Sequence, residues 1–163
     1  MSIITMSDTK DDEFAKVYEK GLKFLSMRQH SVWEIRRKLA LRKFNKNLID
    51  QAIEQFIETG YLNDEQFAEN YLDSLIGYSA GGGSAFGGKS FGFYGLQVKL
   101  RQRGIADEII KRQLDEIFSY EVEKEIALRV AEKSHEKDKT KLVQKLSRKG
   151  FRGEVISQVL KSL

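Results

Sequence analysis

A chain of 163 residues with 40% hydrophobic and 32% charged side chains has room for one domain or several small repeats, but is too polar for a deep interior. Zero cysteines exclude disulfides and thiolate metal sites, zero prolines favour unbroken helices, and no segment approaches the ~20 apolar residues that a membrane span needs. A net charge of +4, from 28 basic and 24 acidic residues, is mild, so affinity for an anionic partner depends on where the cations sit.

Residues 1–12, "MSIITMSDTKDD", turn acidic too quickly for a signal peptide and read as a disordered tail on a cytoplasmic protein. From there Phe14, Tyr18, Leu22 and Leu25 recur at helical spacing. A second such stripe follows at Phe67, Tyr71, Leu72 and Leu75, and a third at Val122, Ile126, Ala127 and Val130. Behind each stripe stands one copy of a longer unit: "SVWEIRRKLALRKFNKNLIDQAI", "GFYGLQVKLRQRGIADEIIKRQL" and "DKTKLVQKLSRKGFRGEVISQVL". The copies align without a gap on Ile35, Leu39, Phe44, Leu48-Ile49 and Ile53, then Leu96, Leu100, Ile105, Ile109-Ile110 and Leu114, then Leu142, Leu146, Phe151, Val155-Ile156 and Leu160. Steps of four are helical and the step of five marks a turn, so each copy predicts two helices joined by a short turn.

Helix-end chemistry falls at matching positions. Ser31, Gly92 and Asp138 stand four residues before the first apolar position as N-caps, and Ser31 with Glu34 makes a capping box. Gly104 and Gly150 occupy the turns, where a left-handed residue ends the first helix of the pair. The first copy has Lys43 there, which predicts a less regular turn. With the upstream stripe each unit is three helices: 13–62, then 63–118 with an inserted loop at 77–91, then 119–163. Tandem units of this kind predict an all-α, extended and curved array of three-helix, helix-turn-helix-like repeats.

The inserted loop contains Gly83-Ser-Ala-Phe-Gly-Gly88-Lys89-Ser90, which satisfies the phosphate-loop pattern G-x-x-x-x-G-K-[ST]. That pattern works between a strand and a helix, whereas here a helical stripe precedes it and "FGFYG" follows. Eight of the chain's 13 glycines lie between Gly77 and Gly95, so the match is read as a product of composition in a flexible insertion. Phe86, Phe91 and Phe93 are unusual in a pure linker and suggest packing on the repeat or on a partner.

The cations repeat with the fold. Lys38, Lys99 and Lys145 precede the central leucine of each copy, and Arg42, Arg103 and Lys149 stand four residues after them on the same helix face. Arg37 and its neighbours thicken the first patch. A last-turn cation complements the helix dipole, which accounts for Arg42, Arg103 and Lys149 better than for the lysines a turn earlier. The set Arg37, Lys38, Arg42, Lys99, Arg103, Lys145 and Lys149 therefore reads as a surface for an anionic partner, met through the phosphates of a DNA backbone or through an acidic protein groove, against the plain alternative of a solvated face. Other chemistry is thin. His30 and His135 are isolated and read as surface or capping residues, while Glu34, Asp64, Glu65, Asp107 and Glu108 fall in first helical turns. Trp33 and Tyr94 occupy equivalent positions and read as packing residues. No nucleophile, base and orienting group assemble, and no cofactor or metal is implied.

Three passages resemble the RecX family of bacterial regulatory proteins. "GLKFLSMRQHSVWEIRRKL" is similar to the family's opening, through His30-Ser31, Glu34-Ile35 and Lys38-Leu39. "ETGYLNDEQFAENYL" resembles its Gly-Tyr/Leu-Leu-Asp-Asp-x-x-Phe-Ala signature, with Asn63 replacing the first Asp. "GFYGLQVKLRQRGI" looks like its Gly-Pro to Lys/Arg-Gly-Ile segment, with Phe93 in place of the proline. The resemblance covers 14–163, apart from the insertion after Ile76. It implies tandem three-helix repeats, no catalytic residues, and binding to the RecA recombinase filament that limits its activity in DNA repair and recombination; the chain itself is expected to be a monomer. The alternative reading is a helix-turn-helix protein that binds duplex DNA directly.

Overall fold

The computed structural model describes residues 6–76 and 90–163. Among the described residues all regular structure is helical: α1 Met6–Met27, α2 Val32–Ala40, α3 Lys46–Glu58, α4 Asp64–Ile76, α5 Phe93–Arg101, α6 Asp107–Ile117, α7 Tyr120–Ser134, α8 Lys139–Arg148 and α9 Gly153–Ser162. The predicted helix pairs are α2 with α3, α5 with α6 and α8 with α9, so the all-α class and the helix-turn-helix plan follow the apolar spacing. Helix α1 reaches back to Met6, into the segment read as a tail. Most of the inserted loop, including Gly83 to Lys89, lies outside the described residues.

Local chemistry sets the helix ends. Ser31, Gly92 and Asp138 are the N-caps of α2, α5 and α8. The Ser31 hydroxyl accepts from the Glu34 N–H, and the Glu34 carboxylate accepts from the Ser31 N–H, which completes the capping box. At the turns Gly104 and Gly150 adopt φ of 74° and 78°, and Lys43 adopts 62°. Lys43 thus takes the same left-handed shape as the glycines, at some conformational cost. The next N–H closes back onto the central leucine at Ile105 and Phe151, whereas no such bond runs from Phe44 to Leu39. The first turn is less regular in that last bond.

The chain divides into two compact units, one ending at Phe67 and one running from Ala68 to Leu163. In the first, α1 packs on both α2 and α3 around Val17, Ile35, Leu39, Ile53 and Phe56. The Phe56 ring stacks on Tyr18 at 4.7 Å and lies against Gly21, where any Cβ would collide with it. That contact explains a glycine inside a helix. Helix α4 begins in this unit, and the Asp64 carboxylate accepts the Val32 N–H at 2.8 Å, joining the starts of α2 and α4. Burial raises the Asp64 pKa, opposed by that hydrogen bond.

The second unit repeats this joint with a stronger group. Glu123, on the first turn of α7, is fully buried. One of its oxygens accepts from the Phe93 N–H at 3.0 Å and the Arg152 N–H at 2.9 Å, and the other takes the Arg152 guanidinium. The starts of α5, α7 and α9 therefore meet at one carboxylate. Beside it, the Gly92 N–H donates to the Lys149 carbonyl and the Tyr94 N–H to the Gly150 carbonyl, both at 2.9 Å. A Cβ at Gly92 or Gly95 would run into the 149–151 backbone. Only glycine lets the α5 start and the α8–α9 turn approach so closely.

His30 is a correction to the surface reading: it is only 2% exposed. Its Nδ1 donates to the Arg28 carbonyl at 2.8 Å, and burial pushes its pKa below the ordinary 6.5, against that bond. The neighbouring Arg28 and Lys38 charges act in the same direction as burial and Glu34 acts against it. The folded state then binds fewer protons than the unfolded state below about 6.5, so this stability is present above that value and is lost as the pH falls through the window. Thermal melts from pH 8 to pH 5 are expected to show a steeper loss in the parent chain than in His30→Asn; equal slopes would contradict the assignment. His135, the other isolated histidine, is exposed and forms the left-handed C-cap of α7, with φ of 49°.

Candidate functional site

Because Ile35 and Leu39 on α2, and their equivalents Leu96 and Leu100 on α5, face the cores, the residues beside them are carried to the surface. Lys38 and Arg42 both gather over the Phe24 ring of α1, at 4.8 and 5.9 Å from its centroid, and Lys20 joins them at 5.7 Å. None of these three cations pairs with a carboxylate among the described residues. In the second repeat Lys99 lies 5.0 Å from the Phe91 ring, while Arg103 lies 4.9 Å from Tyr71 of α4. Contacts of this kind are worth ~0.5–1 kcal/mol at exposed sites and hold long side chains extended. Pre-ordered cations lose less freedom when a partner binds.

The structure does not treat all seven sequence-predicted cations alike. Arg37 is exposed and covers Trp33 at 5.3 Å. Lys145 is half-buried on α8, and Lys149 turns inward: its Nζ donates to the Ser90 carbonyl at 3.2 Å and sits 5.9 Å from Phe91. Burial lowers the Lys149 pKa, and the Lys145 charge adds to the shift. Lys149 thus binds the end of the inserted loop to the third repeat, a role that its last-turn position did not announce. Phe91 and Phe93 pack as their aromatic character suggested, Phe93 under the Arg152 guanidinium at 4.9 Å. The last described element before the phosphate-loop pattern is the helix α4, and the pattern itself falls, but for Ser90, outside the described residues.

Sequence reasoning missed the α1 contribution. Lys16, Lys20 and Lys23, with Glu19, Arg42 and Phe44, line an open pocket of about 460 Å³. Their spacing of four and three residues along one helix face was the available signal. Lys16 is engaged with Asp12 at 2.6 Å, which raises its pKa. Trp33 and Tyr94 correct the packing expectation, being 41% and 55% exposed. Among the described residues no group of three or more His, Asp or Glu side chains is placed to hold a metal, and no helix is long and apolar enough to cross a membrane.

The chain is similar to known proteins in sequence and in fold. Residues 18–56 match the family model "RecX, first three-helix domain". The regulatory protein RecX of Clostridium perfringens (strain 13 / Type A) is 30% identical over 164 residues, covering 94% of this chain and 71% of that protein. The RecX of Lactococcus lactis subsp. cremoris (strain MG1363) is 28% identical over 162 residues, and this chain spans 56% of its length. The crystal structure of RecX from Lactobacillus salivarius superposes with a TM-score of 0.79 at 24% identity, covering 94% of this chain and 97% of that one.

Proposed function

We propose that this chain, which belongs to the RecX family, is a non-enzymatic regulator that binds the RecA recombinase filament on DNA and restrains it during repair and recombination. The observation that carries the reading is a cation pair repeated in each copy: Lys38, Lys99 and Lys145 stand on α2, α5 and α8, and Arg42, Arg103 and Lys149 in the turns that follow those helices. In this reading residues 13–62, 63–118 and 119–163 are successive contact modules of a cytoplasmic monomer. Each contact alone is weak. Joining them in one chain turns the second and third into intramolecular events, which suits a partner made of repeating subunits.

RecA-driven ATP hydrolysis on single-stranded DNA tests this directly. Hydrolysis is expected to fall when the chain is added at concentrations comparable to the recombinase, with no hydrolysis by the chain alone. Unchanged hydrolysis would overturn the proposal. Preferential retention of one duplex sequence at physiological salt would instead point to direct DNA recognition, since contacts to phosphates alone carry no sequence information.

A further inference from the structure

Two exposed apolar lines on the molecule are left unexplained by the cation pairs. On α2, Trp33 and Leu41 stand eight residues apart with Arg37 between them, so all three follow one helix face; Leu41 is 71% exposed. On α5, Tyr94 and Val98 hold the positions equivalent to Trp33 and Arg37, and Val98 is 48% exposed. In α8 the matching residues are Thr140, Gln144 and Arg148, all polar. Neither line serves its own core, because Ile35 with Leu39 and Leu96 with Leu100 fill the buried faces. Single exposed hydrophobics need no explanation, but an exposed aromatic at the same place in two repeats, each followed along its face by an exposed aliphatic, Leu41 in the first and Val98 in the second, does.

We infer that the Trp33–Leu41 and Tyr94–Val98 lines are docking strips for protein, contacting an apolar patch edged by carboxylates on the subunits of the recombinase filament. This inference rests on the reading proposed above and specifies its contact. Three observations select a protein surface over nucleic acid. Leu41 and Val98 gain nothing from phosphates. The Arg37 guanidinium occupies one face of the Trp33 ring, and the Tyr94 ring is held edge to face with Phe93 at 5.7 Å, so each aromatic is braced by a neighbour as an anchor is. Cations flank both strips, Arg37, Lys38 and Arg42 beside the first and Lys99 beside the second, where Arg101 is already paired with Asp107 at 2.7 Å, which calls for acidic residues around the apolar centre. Aromatic anchors ringed by charged residues are the usual energetic centre of such contacts.

The test compares binding of the full chain to RecA filaments on single-stranded DNA with binding to the same DNA alone. Trp33→Ala with Tyr94→Ala is expected to weaken filament binding by about a hundredfold, roughly tenfold per anchor, while binding to bare DNA changes less than twofold. Trp33→Phe with Tyr94→Phe is expected to keep most of the affinity. Circular dichroism of each variant should match the parent, because both side chains are exposed. A parallel loss on bare DNA would make the strips a nucleic-acid surface and overturn the inference. Unchanged filament binding in the double alanine variant would also overturn it, and if reversal of Lys38, Lys99 and Lys145 still weakened binding, the proposed function would stand without it. Failure of the parent chain to bind filaments would remove both.

Discussion

Glu123→Ala is expected to destabilise the fold by about 3 kcal/mol and to lower the melting temperature by roughly 10 °C. The carboxylate is fully buried and serves the Phe93 and Arg152 N–H groups and the Arg152 guanidinium. Removing one member of a buried ion pair typically costs ~3–5 kcal/mol, because the remaining charge is left without a partner. Arg152 is partly open to solvent and packs against Phe93 and Tyr120, so water can recover part of its charge and hold the cost near the lower end. For a chain of this size each kcal/mol moves the transition by ~2–4 °C. Glu123→Gln keeps one acceptor oxygen for the N–H groups but loses the charge, so it is expected to fall between alanine and the parent. Thermal unfolding followed by circular dichroism decides the matter. A shift below 3 °C for the alanine variant would mean that the α5, α7 and α9 starts are held by the Gly92–Lys149 and Tyr94–Gly150 bonds and not by this carboxylate.

What was legible in the sequence was what short-range physics determines. Ser31, Gly92 and Asp138 cap their helices because a cap acts within three residues of itself. Ile35 with Leu39, and each equivalent pair, is buried because residues four apart share a helix face whatever surrounds them. The exposure of Trp33 and Tyr94 was within reach of the same geometry. Each lies two residues from a buried position, about 200° around the helix, and the packing expectation followed residue type where angle was the better guide.

Groups whose role depends on a distant segment were not legible. Glu123 looks like any acid in a first helical turn until the α5 start and the α8–α9 turn are brought to it. One trace was present: Asp64 and Glu123 both stand three residues before an apolar-Ala pair, Phe67-Ala68 and Ile126-Ala127. That shared position holds the acid that joins helix starts, α2 with α4 through Asp64 and α5 with α7 and α9 through Glu123. The cation pairs were visible from their spacing of four, but their aromatic partners were not. Phe24 comes from α1, Tyr71 from α4, and Phe91 from the end of the inserted loop.

Reversing Lys38, Lys99 and Lys145 together to glutamate is expected to weaken filament binding by at least a hundredfold while helical content stays within a few per cent of the parent. The fold tolerates the change for three reasons. All three lysines are partly exposed, so the usual cost is ~0.5 kcal/mol each. Lys38 and Lys99 give up their contacts with Phe24 and Phe91, at ~0.5–1 kcal/mol each. A glutamate at each position then stands four residues before Arg42, Arg103 or Lys149 in the turn past the helix end, where an exposed ion pair returns at most ~0.5 kcal/mol. Binding has no such compensation. Net charge moves from +4 to −2, since each reversal removes two charges, and each former attraction becomes a repulsion of ~1 kcal/mol or more. Three such losses exceed the ~2.8 kcal/mol that corresponds to a hundredfold. Because the contacts are tethered in one chain, a single reversal should cost only about tenfold, the remaining two modules keeping the third at high local concentration. Raising the salt should shrink the gap between parent and variant, as screening shortens the reach of exposed charges to ~8 Å at physiological ionic strength. If the triple variant bound filaments as tightly as the parent at low salt, the cations would be a solvated face, and the exposed lines at Trp33 and Tyr94 would have to account for binding alone.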